Sequence, residues 1–63
     1  MNSAEHERGR KAAQTHIDAG LHTSRSADDY ATAVEQQPMQ DDHARGFAAR
    51  LREHASTLRE MGR

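Results

Sequence analysis

This sequence predicts an all-α fold: a small bundle or hairpin of two or three helices, dominated by a long amphipathic C-terminal helix. Three observations carry that reading. One heptad recurs three times in the C-terminal third, as Ala44-Arg45-Gly46-Phe47-Ala48, Leu51-Arg52-Glu53-His54-Ala55 and Leu58-Arg59-Glu60-Met61-Gly62. A seven-residue repeat keeps one stripe of a helix turned toward a neighbouring helix. Upstream, helix start and stop signals follow one another in the right order. Nowhere do apolar and polar residues alternate with period two, and β-branched residues are scarce, so no strand is expected.

The first helix is expected over about 3–19. Asn2 and Glu5 have the spacing of a capping box, and Glu5 also lies near the positive helix end. Glu7 and Lys11 are an i,i+4 pair in the favourable order. The apolar face is thin, with Ala12, Ala13 and Ile17, and Gly9 costs about 1 kcal/mol of helix propensity relative to Ala. Gly20 followed by Leu21 reads as the glycine and hydrophobic residue of a Schellman stop.

A polar connection, His22 to Arg25, leads to a second helix over about 27–36, with Ser26 as its N-cap and Asp28 and Asp29 in its first turn. Ala27, Tyr30, Ala31 and Val34 fall at i, i+3, i+4 and i+7, one face of a helix. Pro38 biases the preceding residue away from helical geometry, so this helix ends by Gln36 or Gln37. The third helix is expected over about 39–61. Either Pro38 is its first residue, where a missing N–H costs nothing, or Asp41 is its N-cap. In heptad terms Ala44, Leu51 and Leu58 take position d, and Ala48, Ala55 and Gly62 take a. Arg45, Arg52 and Arg59 take e, and Phe47, His54 and Met61 take g. Gly46, Glu53 and Glu60 take f, facing water.

Length and composition narrow the possibilities. The 63 residues form one domain at most, and Val, Ile, Leu and Phe together number six. A chain so poor in large apolar residues is marginal alone, which points to association with itself or another protein; a homodimer is the expected assembly. With no Cys there is no disulfide or thiolate metal site. No apolar run suits a signal peptide or a membrane span, so a cytoplasmic location is expected. Arg outnumbers Lys eight to one and Ala is the commonest residue; both suit a GC-rich bacterial, phage or plasmid genome.

Charge is unevenly placed. Residues 26–42 carry five acids and no Lys or Arg, whereas residues 43–63 carry five Arg against two Glu. An antiparallel second and third helix would bring these together. With a net charge of −1, one Tyr and one Phe, the chain lacks the basic field and stacking platform of a nucleic-acid binder. The five histidines contain no i,i+4 pair or H-E-x-x-H; their more credible use is as pH-sensitive groups at an interface, His54 first among them. The adjacent pairs Asp28-Asp29 and Asp41-Asp42 read as first-turn charges and not as a catalytic dyad. The functional expectation is a non-enzymatic helical module, an adaptor, regulator or inhibitor, that binds a protein through Phe47, Leu51, Arg52, His54, Leu58, Arg59 and Met61. Aromatic, Met and Arg side chains suit such a surface. No catalytic residue, cofactor, metal or membrane contact is expected. The alternative is a regulator that binds nucleic acid through the Arg stripe or mimics it through the acidic middle.

Overall fold

The computed structural model describes residues 4–38 and 41–62, which form three helices: α1 (Ala4–Asp18), α2 (Ser24–Glu35) and α3 (Asp42–Glu60). The all-α expectation holds, with no strand among the described residues. The backbones of α1 and α2 each approach that of α3 and not one another, so α3 is the element on which the fold is built.

The stop of α1 is the Schellman motif expected. Gly20 has φ 70°, Leu21 N–H donates to the His16 carbonyl at 3.2 Å, and Gly20 N–H donates to that of Ile17 at 3.0 Å. The expected cap at Asn2 lies outside the described residues. The start of α2 differs from expectation. Its N-cap is Thr23, and Ser26 is the third helical residue. The Thr23 hydroxyl accepts from Ser26 N–H at 3.1 Å, while Thr23 N–H donates to the Ser26 hydroxyl at 2.9 Å. This is a capping box with Ser in the place usually held by Glu or Gln, and it moves the helix start three residues upstream of Ala27. The end of α2 at Glu35, with Gln36 as C-cap, is where Pro38 requires it. For α3, Asp41 is the N-cap, accepting from Ala44 N–H at 2.8 Å. The helix therefore begins at Asp42 and Pro38 does not open it; the expected start at residue 39 lies outside the described residues. It closes at Glu60, with Met61 as C-cap.

The buried core comprises Ala13, Ala27, Ala31, Phe47, Ala48, Leu51 and Ala55, flanked by Ala12, Ile17 and Val34. Leu51 is its largest fully buried side chain, worth roughly 1.5–3 kcal/mol of burial. Most of the remainder is alanine, which adds little area but lets helices come close. The limit of that approach lies at Gly9 and Gly46, both buried. A Cβ at Gly9 would collide with the His43 carbonyl oxygen and lie 2.9 Å from the Phe47 nitrogen; one at Gly46 would collide with the His6 carbonyl oxygen. Gly46 was expected to face water and does not. Two helices flank α3, so its buried arc is wider than an a/d seam, and the consecutive residues Gly46, Phe47 and Ala48 are all inside it. The propensity cost of Gly9 is the condition of a backbone-to-backbone crossing that no other residue permits.

Candidate interaction surface

The heptad residues separate by depth. Phe47, 9 % exposed, and Leu51, fully buried, belong to the core. Phe47 has two aromatic neighbours: His16 from α1, nearly perpendicular to it with ring centres 5.1 Å apart, and Tyr30 from α2, tilted at 44° with centres 5.5 Å apart. His54 and Leu58 are half-buried and Met61 is 58 % exposed. Spaced i, i+4 and i+7, these last three line one stripe at the C-terminal end of α3.

Arg52 and Arg59 face α2. Arg52 Nε donates to Glu35 Oε1 at 2.5 Å, its Nη2 donates to the Thr32 hydroxyl at 3.2 Å, and its guanidinium lies 3.7 Å from Asp28. Arg59 also pairs with Asp28. These bonds show α2 antiparallel to α3, as the charge asymmetry suggested. The remaining basic groups of the stripe and its surroundings are likewise matched: Arg45 with Asp42 at 3.8 Å, Arg10 with Glu53 at 2.8 Å, and Arg50 with Gln14 at 3.0 Å and Glu53 at 3.8 Å. The Arg10 guanidinium holds the Glu53 carboxyl below the usual carboxylate range. Between Glu35, Arg45, Ala49 and Arg52 an open concavity of about 280 Å³ is lined by charges of both signs, which does not single out a polyanion.

The Asp28–Arg59 pair sets the first turns of α2 beside the last turn of α3. Leu21, just ahead of the α2 cap, and Met61, the cap of α3, therefore lie at the same end of the molecule. Leu21 is 63 % exposed and Tyr30 45 %. Neither was among the residues expected at a surface: Leu21 reads as a helix stop and Tyr30 as part of an apolar face, and only packing reveals what stays uncovered.

Histidines converge near this end. His16 Nδ1 and His22 Nε2 are 3.3 Å apart, and His22 Nδ1 is 3.3 Å from the Ser26 hydroxyl. The planes of the two rings are nearly parallel, at 11°, with centres 5.5 Å apart. The difference between that separation and the nitrogen–nitrogen distance is close to twice the radius of the ring. The rings therefore meet edge to edge, nitrogen facing nitrogen, in an N–H···N bond. A metal needs lone pairs converging on a point about 2.0–2.1 Å from each nitrogen, and two nitrogens aimed at one another leave no such point. Among the described residues no group of three or more His, Asp or Glu could hold a metal ion, and no helix is long and apolar enough to cross a membrane.

Comparison with known proteins finds no matching family model, curated relative or solved structure for this chain.

Proposed function

We propose that the chain is a non-enzymatic helical protein-interaction module, an adaptor, regulator or inhibitor. Its contact surface takes in the exposed Leu21, Tyr30 and Met61 and the half-buried Leu58, with His54, Arg52 and Arg59 around them. One contrast carries this reading. The arginines that could form a phosphate-binding stripe are matched by Asp28, Glu35 and Asp42 within the fold, while Leu21, Tyr30 and Met61 remain exposed. A core of mostly alanine leaves the fold with modest stability, which a bound partner would raise by mass action.

Phe47 and Leu51 support the surface from behind and do not touch the partner in this reading. The same ion pairs engage Asp28 and Glu35, which weakens the acidic middle as a mimic of phosphates. The test is affinity capture with nuclease-treated controls, comparing the wild type with a chain carrying Leu21→Asp and Met61→Asp. Both sites are exposed, so helicity should be unchanged while the captured protein is lost. Nucleic-acid binding by the wild type at physiological salt, abolished when Arg45, Arg52 and Arg59 are all changed to Gln, would overturn the proposal.

A further inference from the structure

Of the five histidines, two are bonded to one another across a turn, and that bond joins three parts of the fold. His16 stands on the last turn of α1, His22 in the connection, and Ser26 in the first turn of α2. Ser26 is also the second member of the capping box with Thr23. A consistent proton arrangement runs through all of them. His16 Nδ1–H donates to His22 Nε2, His22 Nδ1–H donates to the Ser26 hydroxyl, and that hydroxyl donates to the Thr23 carbonyl at 3.4 Å. The chain can also run in the opposite direction, from the Ser26 hydroxyl to His22 and from His22 to His16. In either direction one of the two facing ring nitrogens must be bare.

We propose that the His16–His22 pair is a proton-operated latch that holds the α1–α2 connection closed with one bare facing nitrogen and opens when both rings are protonated. The first proton is tolerated. With His16 charged, its Nδ1–H still donates to His22, and the bond gains charge assistance. The second proton puts two N–H groups head to head and two positive charges side by side, on nitrogens only 3.3 Å apart. The groups facing the pair do not relieve this. α2 presents the Ser26 hydroxyl and the Tyr30 ring, the latter 5.6 Å from His22; α3 presents the Phe47 ring against His16, and the His54 imidazole, whose charge also acts on His22. Burial, then His16, then His54 all push the His22 imidazole below its ordinary value of 6.5. Opening the latch frees the connection, loosens the α2 cap and uncovers the edge of Phe47 that His16 covers. The inference does not depend on the identity of any partner.

The sign of the pH effect follows. A histidine whose folded value is depressed binds fewer protons folded than unfolded between that value and 6.5. Stability is therefore full above 6.5 and falls as the solution is acidified through this window, by up to tenfold in the folding equilibrium per pH unit for one proton. The test follows the imidazole nitrogens of the unmodified chain by NMR from about pH 8 to about pH 5, with amide exchange read at the same points. Two separated proton uptakes are expected, the second below 6.5. Protection should be lost first at Leu21 and Ser26 while the Leu51 amide stays protected. In His22→Gln the low step should vanish, with most of the acid loss of stability. Both rings titrating together near the ordinary histidine value, or Leu51 losing protection in step with Leu21, would overturn the latch. So would an unchanged acid dependence in His22→Gln. Should that variant not fold, the two wild-type readings decide by themselves.

Discussion

The two faces of α3 are held by different physics. Toward α1 the closest approach is backbone on backbone, at Gly9 and Gly46, with no side chain between them at those two points. Toward α2 it is made by side chains: Ala27 and Ala31 are buried, and Arg52 and Arg59 reach across to Asp28, Glu35 and Thr32. At the first, the glycine crossing tolerates almost no change of shape, although Arg10–Glu53 and Gln14–Arg50 rim it with side chains that can adjust. The second is rimmed by long, partly solvated side chains that can move. Specificity of packing resides on the α1 side, and orientation through charge on the α2 side.

Gly9→Ala gives the sharpest way to break that contrast. On an isolated helix it would add about 1 kcal/mol of propensity. Here its Cβ meets the His43 carbonyl, which belongs to a helix backbone and cannot rotate away. We expect a net loss of about 3 kcal/mol or more, large against the stability of so small a domain, and the same for Gly46→Ala. A more stable Gly9→Ala chain in thermal melts would show that α1 does not sit this close.

The next effect concerns the core shared by both faces. Leu51→Ala should cost roughly 2–5 kcal/mol, and Phe47→Ala at least as much, read by chemical denaturation. A loss confined to one helix, with the other still docked by amide exchange, would show that the faces are independent. The smallest effect belongs to the rim. Arg52→Gln removes pairs that are 44 % exposed on the arginine side, so it should cost under about 1 kcal/mol, and less at high salt. A loss as large as that of Leu51→Ala would mean that the α2 face is as rigidly determined as the α1 face.

The same contrast explains what could be read from the residues. The α2 side was legible because its signals are additive: the apolar spacing of Ala27, Tyr30, Ala31 and Val34, and an acidic middle opposite a basic end. The stop at Gly20 was legible because its chemistry is local, whereas at the start of α3 the residues offered both Pro38 and Asp41, and the bond from Ala44 N–H selects Asp41. The start of α2 was mistaken because Thr23, Ser24 and Ser26 are all competent caps, and only the reciprocal bond from Thr23 N–H to Ser26 selects among them. The α1 crossing gave no periodic signal, because glycine contributes nothing to hydrophobicity. Two glycines kept in the interiors of otherwise well-punctuated helices were the available hint. Of the residues expected to bind a protein, Met61 is exposed and His54 and Leu58 are half-buried, whereas Phe47 and Leu51 are buried; Leu21 and Tyr30, which read as a helix stop and as part of an apolar face, are exposed. The His16–His22 bond joins residues six apart across a turn, a spacing that no helical or strand period picks out.

The crossing of α1 over α3 also has a meaning for the order of assembly. Arg10–Glu53 and Gln14–Arg50 join residues 43 and 36 apart in the chain, whereas Arg52 reaches Glu35 and Thr32 across only 17 and 20. Each doubling of loop length adds only about 0.6 kcal/mol of closure entropy, too little to matter to the finished fold. It matters more to the route, because contacts near in sequence form sooner than distant ones. The α2–α3 pair is then the scaffold that assembles early, and α1 arrives last, onto a glycine contact that gives no reward until its backbone is fully seated.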